Sequence, residues 1–498
     1  MARLFLGIDQ GTTSTTALLI DENWNVAAKA SIEHKQYYPH QGWVEHDPME
    51  LFECCREATA MALKNIPGSR PSDIVCMGID HQGETALVWD KNTGLPIYNA
   101  IVWLDRRTAN FAEKLKAEHG DYIKKITGLW PDSAHGGPKV AWILDHVEGA
   151  RKKAARGDLE AGTLNSWLIY KFSGDECFTT EGCSAARLAA MNLKESKFDK
   201  RILDIYNIPE NILPPIMNCN EIFGYTSPDV FWGCRIPITG SISDSKAALI
   251  GGAGTVPGTL KTSYGTGSFM ALVTGNEIIT SENGLVATCC WRIDGVSTYD
   301  INASCYVAGA AIQWLKNGIY MIDSVSQLES MANSVPDTRD VFFVPAFSGL
   351  ASPYWDQYAR GAFLGLTAGA DRNHLVRAVL ESIAYQVAGC YRAMKLDYHG
   401  LLTTMTADGG MVDNSFLMQF QADMLGIPIE IPEEKETAAF GAACVAALTV
   451  GEINSLAEVK KIIKIKKVYE PKMSEDERET RFARWCKAVE RSRNWAVD

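Results

Sequence analysis

The sequence predicts an α/β protein of two lobes, each a mixed sheet with helices packed on its faces. Three observations predict it. An apolar run, Leu4-Phe5-Leu6-Gly7-Ile8, passes through a polar turn, Asp9-Gln10-Gly11-Thr12-Thr13-Ser14, into a second apolar run, Ala17-Leu18-Leu19-Ile20. The same order of strand, turn and strand returns about half a chain later, from Leu260 to Val273 around Tyr264-Gly265-Thr266-Gly267-Ser268. Between them lies the most linker-like stretch of the chain, Gly251-Gly252-Ala253-Gly254-Thr255-Val256-Pro257-Gly258. It divides the sequence into lobes 1–252 and 253–498, and the lobes are expected to bend near 251–258.

Apolar runs bounded by turn residues predict strands over 4–8, 16–20, 75–79 and 86–89. Asp47-Pro48 opens a helix over 49–63, because Asp caps free N–H groups and Pro fits the first turn. Residues 145–156 read as a charged helical surface. A strand over 236–242 runs through a polar turn into a helix over 246–250. The second half repeats the pattern: a hairpin over 260–273, then helices over 308–316, 372–395 and 415–425. A charged amphipathic helix over 475–493 ends the chain.

Composition narrows the function classes. At 498 residues the chain is too long for one ordinary core. No apolar run reaches the ~18 residues that span a bilayer, and Met1-Ala2-Arg3 runs straight into the first strand, so no signal peptide and no membrane partner are expected. A net charge of −12 argues against nucleic-acid binding. The thirteen cysteines form no Cys-x-x-Cys and read as buried reduced thiols, which suits a cytoplasmic protein.

The turns carry the chemistry. Backbone N–H groups at Gly11 and the hydroxyls of Thr12, Thr13 and Ser14 suit a phosphate, and Asp9 beside them suits Mg²⁺ held through water. On residues alone the same turn serves equally as a plain hairpin. Gly409-Gly410, ahead of the 415–425 helix, lets backbone approach a base or ribose. Asp244 sits between a strand and a helix in Ser243-Asp244-Ser245-Lys246, where local sequence favours a helix cap over a catalytic base.

A longer set of motifs decides between these readings. It comprises Gly42-Trp43-Val44-Glu45-His46-Asp47-Pro48, Trp103 with Arg106-Arg107-Thr108, and Lys139-Val140-Ala141-Trp142. Ala308-Gly309-Ala310-Ala311-Ile312-Gln313-Trp314, Pro353-Tyr354-Trp355-Asp356 and Glu436-Thr437-Ala438-Ala439-Phe440-Gly441 complete it. On these the chain resembles the FGGY carbohydrate kinases, within the group sharing the actin and Hsp70 ATPase core, and is most similar to the glycerol kinase branch. The resemblance implies ribonuclease-H-like lobes with an interlobe active-site cleft, ATP and Mg²⁺ as cofactors, and a polyol or sugar as small-molecule substrate. A homo-oligomer, dimer or tetramer, is expected. Asp244 becomes the general base and, with Asp9, organises the metal. Thr12, Thr13, Ser14 and Thr266 become phosphate contacts, and Gly309, Gln313, Gly410 and Asn414 line the nucleotide site.

The acceptor side departs from the branch it resembles. Gln-Arg-Glu-Thr is here Gln82-Gly83-Glu84-Thr85, a Tyr is missing at Ser133-Ala134-His135-Gly136, and the Gln after the base is Ser245. An Arg expected after the first turn is Thr16. Glu84, Trp103 and Phe269 remain as acceptor contacts, and His135 is either a new polar contact or merely solvated. Loss of three large polar groups predicts an acceptor of four to six carbons. Glycerol itself, giving glycerol 3-phosphate, is the alternative, and a non-catalytic ATP-dependent switch is the alternative of another class. Asp244, Glu84 and Trp103 together argue against the switch.

Overall fold

The computed structural model describes residues 3–497, so the reading of Met1 and Ala2 as continuous with the first strand lies outside the described residues. The first sheet contains β1 (Leu4–Gln10), β2 (Ser14–Asp21), β3 (Val26–Glu33), β4 (Ile74–His81), β5 (Gly224–Tyr225) and β6 (Pro237–Ser243), in the spatial order β5-β6-β4-β1-β2-β3. Its centre, β6-β4-β1, is parallel, and β2 and β3 continue it antiparallel. Leu4, Phe5, Leu6 and Ile8 are all buried, since both faces of β1 are covered. That is why the strand reads as a continuous apolar run rather than an alternating one.

The second sheet contains β7 (Leu260–Tyr264), β8 (Ser268–Gly275), β9 (Val286–Ile293), β10 (Val296–Cys305), β11 (Met405–Asp408), β12 (Ile429–Pro432) and β13 (Ile465–Tyr469). Its order is β9-β10-β8-β7-β11-β12-β13, with β7, β11 and β12 parallel. The hairpin β7-β8 thus stands where β1-β2 stands in the first sheet. A smaller sheet of Glu45–His46, Ala86–Asp90, Leu95–Pro96, Ala100–Ile101 and Leu159–Thr163 flanks the first. It leaves the segment 82–85 bridging the two.

Helices close the faces. Asp47 accepts the Met49 N–H at 2.8 Å and Pro48 begins α1 (Pro48–Lys64) as its sequence predicts. The helices α2 (Gly136–His146), α3 (Gly182–Ala186), α4 (Asp244–Gly251), α5 (Gly309–Gln313), α6 (Arg372–Asp397), α7 (Ser415–Leu425) and α8 (Thr437–Thr449) follow. Two expectations change. The helix expected over 308–316 is α5 continued by a π-helical turn over Trp314–Gly318. The single surface helix over 145–156 is broken, because Gly149 takes φ 75° and starts a separate segment, Ala150–Arg156.

One helix joins the halves. α8 follows β12 in the chain, yet it packs on the sheet of the first half. A Cβ on Gly7 of β1 would lie 1.9 Å from the Ala439 carbonyl oxygen, on Gly78 of β4 2.0 Å from that of Ala442, and on Gly240 of β6 2.6 Å from the Ala446 nitrogen. Gly251 of α4 and Gly441 of α8 meet in the same way, each 1.9 Å from the other helix's carbonyl once a Cβ is added. The glycine at 251 therefore ends a packed helix instead of opening a linker. A shared core results, in which Phe5, Ile242 and Ala247 meet Val273, Cys289, Tyr299 and Ala439.

This seat predicts a sharp contrast. Gly78→Ala puts a methyl into an immobile backbone carbonyl, and overpacking costs about 1–3 kcal/mol even where side chains yield. The expected outcome is a loss at or above the top of that range, read as a lowered thermal midpoint. Gly389→Ala in α6, where the new methyl meets nothing nearer than 3.8 Å, leaves the midpoint nearly unchanged.

Candidate functional site

Three parallel strands of the first sheet end in acidic groups. Asp9 on β1 is the register partner of Asp80 on β4, Asp80 is the partner of Ile242 on β6, and Asp244 begins α4 just beyond β6. Ligands in such sheets gather at the carboxyl ends of the strands. Burial raises Asp9 to about 7, with its neighbour Asp80 opposing and the charges of Asp244 and Glu436 adding. Asp80 is pushed well above the carboxylate range by burial, then by Asp9 and Asp244, and both of its oxygens are buried without a hydrogen-bond partner among the described residues. An oxygen-only donor set with an orphaned buried carboxylate suits a hard divalent cation, which would relieve the mutual repulsion.

Asp244 is not the cap of its helix. Ser243 holds the cap position, and Asp244 occupies the first turn with its Oδ1 accepting the Ser245 N–H at 2.6 Å. Burial, helped by Glu84, raises its pKa to about 6, while the Ser245 N–H, Arg187 and Lys246 pull the other way. A carboxylate of that pKa is ionised at neutral pH yet basic enough to take a proton.

The first turn is fixed by hydrogen bonds. The Gly11 N–H donates to the Ser14 carbonyl at 3.0 Å. The Gly11 carbonyl accepts from Gln10 Nε2 at 2.8 Å and Gln82 Nε2 at 3.1 Å. Thr12 Oγ1 accepts from Trp103 Nε1 at 2.9 Å, so this hydroxyl ties the turn to an acceptor candidate. Thr85 Oγ1 links Gln82 to the Trp103 N–H at 3.0 and 3.3 Å. Thr13 stays exposed and Ser14 half-buried. Thr16, where a cation was expected, is buried and bonds Ser31 Oγ at 3.1 Å.

The second turn docks on α5. The Gly265 N–H donates to the Gly267 carbonyl at 2.9 Å, and the Gly309 N–H donates to the Gly265 carbonyl at 3.0 Å. The Thr266 carbonyl accepts from Ala308 at 2.8 Å and Ala310 at 3.0 Å, and the Thr266 residue is exposed. Gly410 faces open space, since an added Cβ meets nothing within 4 Å. Gln313 is exposed and accepts from Asn317 Nδ2 at 3.2 Å. The Asn414 side-chain oxygen Oδ1 caps α7 by accepting from the Leu417 N–H at 2.9 Å, so its amide N–H donors are what it offers a ligand.

On the acceptor side the structure adds a residue. Arg187 Nη1 donates to Glu84 Oε1 at 3.1 Å. Its stem lies against Gly83, whose Cβ position is 3.4 Å from Arg187 Cδ and 3.5 Å from Cγ. Burial favours neutral Glu84, but Arg187, with His135 and Lys139, outweighs it and holds the carboxyl below its ordinary value. Lys139 is fully buried and bonds the Glu84 and Ala134 carbonyls; burial brings its amine down to about 7. His135 is half-buried at the N-terminus of α2, with Nε2 3.1 Å from the Trp130 carbonyl and a buried, unpartnered Nδ1 among the described residues. It is therefore not merely solvated. Ser245 is exposed, and Phe269 on β8 leaves half its surface open.

Behind Asp244 lies a buried charge network. Lys246 of α4 pairs with Asp300 of β10 and reaches Asn302 Oδ1 at 3.2 Å, while Thr288 donates to Asp300 at 2.6 Å. Lys246 and Asp300 are both inaccessible. Glu181, Cys183 and Cys219 also cluster with metal-like spacing. Their geometry has a simpler cause: Glu181 caps α3, accepting from the Cys183 N–H at 2.6 Å, the Ser184 N–H at 2.9 Å and the Cys219 thiol at 3.3 Å. All thirteen cysteines are free, and no helix among the described residues is long and apolar enough to cross a membrane.

Sequence reasoning missed Asp80 and Arg187. The first was within reach, since Ile79-Asp80 repeats the strand-end pattern of Ile8-Asp9. The second carries no local signal, because it meets Gly83 and Glu84 only in the folded chain.

Residues 4–251 match the N-terminal domain of the FGGY family of carbohydrate kinases, and residues 260–450 match its C-terminal domain. Glycerol kinase 2 of Thermotoga maritima is 45% identical over 491 residues, 98% of this chain and 99% of that protein. A glycerol kinase of Caldanaerobacter subterraneus is 46% identical over 499 residues, all of both chains. The crystal structure of Plasmodium falciparum glycerol kinase with ADP superposes with a TM-score of 0.93 at 33% identity, covering 99% of this chain and 98% of that one. Gluconate kinase from Lactobacillus acidophilus, at 20% identity and a TM-score of 0.87, covers 99% of this chain and 98% of its own and shares the fold. With both domain models matched in order and whole-length relatives near half identity, this chain belongs to the FGGY family of carbohydrate kinases, phosphotransferases built from two ATPase-like lobes.

Proposed function

We propose that this protein phosphorylates glycerol with ATP, giving glycerol 3-phosphate and ADP. The observation that carries a polyol kinase is the nearness of Asp244 to the Glu84–Arg187 pair, with Trp103 tied to the first turn through Thr12. The choice of glycerol is supported by the whole-length relatives that bear that name. In this reading the Asp244 carboxylate takes the proton of one acceptor hydroxyl as its oxygen attacks the γ-phosphorus, and ADP leaves. The first turn and Thr266 hold the phosphates, with Gly309, Gln313, Gly410 and Asn414 around the nucleotide. Asp9, Asp80 and Asp244 would hold Mg²⁺, which neutralises phosphate charge when bound. A cytoplasmic homo-oligomer remains part of the proposal.

A second reading, an acceptor of four to six carbons, is favoured by Gly83, Ala134 and Ser245, which are small where the branch is large. The stem of Arg187 lies over Gly83 and fills part of that room, which supports the smaller acceptor.

Two outcomes are expected. In an ADP-release assay over glycerol, tetritols, pentitols, hexitols and ketoses, glycerol has the highest kcat/KM; a larger acceptor tenfold better would transfer the assignment to the second reading. On the best acceptor Asp244→Asn lowers kcat about 10²–10⁴-fold with ADP affinity nearly unchanged, and the wild-type acid limb falls near the Asp244 value of about 6. Undiminished turnover would remove Asp244 as the base.

The carboxylate cluster carries a stability signature. Asp9 near 7 in the folded chain stands above its unfolded value of about 3.9. Its contribution is complete below about pH 4 and is lost as pH rises through 7. In Mg²⁺-free buffer Asp9→Asn is therefore expected to melt higher than wild type at pH 8, with the gap closing towards pH 4. Added Mg²⁺ raises wild type more than the variant. Parallel melting curves for the two proteins across this range would contradict a raised Asp9.

A further inference from the structure

We propose that Arg187 is an acceptor-binding residue: with Glu84 it forms a donor–acceptor clamp that reads two neighbouring hydroxyls of the polyol. Arg187 donates to one oxygen while Glu84 accepts from the other, and the next hydroxyl is left to Asp244. The inference rests on the polyol-kinase reading above and deepens it.

Four observations carry it. Arg187 is the residue just after α3, and Gly83, which contributes no side chain, lets its stem lie flat over the acceptor segment. The guanidinium pairs with Glu84 and feels the charges of Asp300 and Asp244, so a permanent cation stands beside the acceptor carboxylate. Of its five N–H donors, Nη1 meets Glu84, while Nε is buried with no partner among the described residues. A buried donor without a partner is a standing penalty, which a ligand oxygen removes. Finally, the backbone beneath is rigid, because buried Lys139 holds the Glu84 and Ala134 carbonyls together. A planar cation beside an ionised carboxylate presents donors and acceptors side by side, which matches a 1,2-diol and not an isolated alcohol.

The test uses the full-length enzyme and whichever acceptor the panel assay finds best, so failure of the glycerol assignment leaves this test intact. Arg187→Met is expected to raise acceptor KM about 10–100-fold, with ATP KM changed less than about threefold. Preference for glycerol over 1,3-propanediol, which lacks the middle hydroxyl, should collapse in this variant, and added methylguanidinium should restore part of the activity of Arg187→Ala. A purely structural Arg187 would move ATP and acceptor constants together and keep the diol preference; that result overturns the proposal. Should Arg187→Met not fold, Arg187→Lys keeps the charge but loses the planar fork. It is then expected to raise acceptor KM at least about fivefold with a wild-type melting midpoint, and an unchanged acceptor KM overturns the proposal equally.

Discussion

The structure depends on one backbone-to-backbone contact, the seat of α8 on three adjacent parallel strands. Gly7, Gly78 and Gly240 each remove a side chain where a strand passes the helix. Asp9 and Asp80 follow their glycines by two residues, and Asp244 follows Gly240 by four, at the head of α4. The depth at which the helix sits therefore fixes where three strands deliver their acidic groups. The same helix belongs in sequence to the second half, so the contact also ties the two sheets into one cleft. Packing and chemistry here share a single determinant: backbone proximity that only glycine permits.

The cleft is built at an electrostatic cost. Asp9, Asp80 and Asp244 are held close together and raised above ordinary carboxylate values by burial and by one another. Among the described residues no hydrogen bond or cation neutralises Asp80 directly. Opposite, Glu84 is kept ionised by Arg187 despite its burial. Two carboxylates near one another, one pushed up and one pulled down, are a common way to separate proton-taking from substrate-holding roles. The stabilisation lost at the cluster is offset by the core around α4 and α8.

Much of this was legible in the sequence, for reasons that can be named. Hairpin turns depend on local backbone chemistry, so Gly11 with its hydroxyls, Gly265–Gly267 and Gly409-Gly410 announced themselves. The strand ends at Asp9 and Asp244 were equally local. α8 was legible only as a motif, because Thr437–Thr449 is apolar all round and has no period to read. The acceptor side was least legible. Gly83 reads as lost volume in the sequence, yet the stem of Arg187, more than a hundred positions away, lies over it in the folded chain. Gly251, read as the start of a linker, instead ends α4 in close packing against α8, a contact that local composition does not announce.

The buried pair of Lys246 and Asp300 bears on how such a protein can be recombined. One charge lies in the first half of the chain and its partner in the second, and neither reaches water. Removing either partner strands the other, at a cost of about 3–5 kcal/mol for a buried pair. A chimera that joins one half of this chain to the other half of a relative inherits that debt unless both positions travel together. The two halves, though separately recognisable as domains, are thus matched parts and not interchangeable ones.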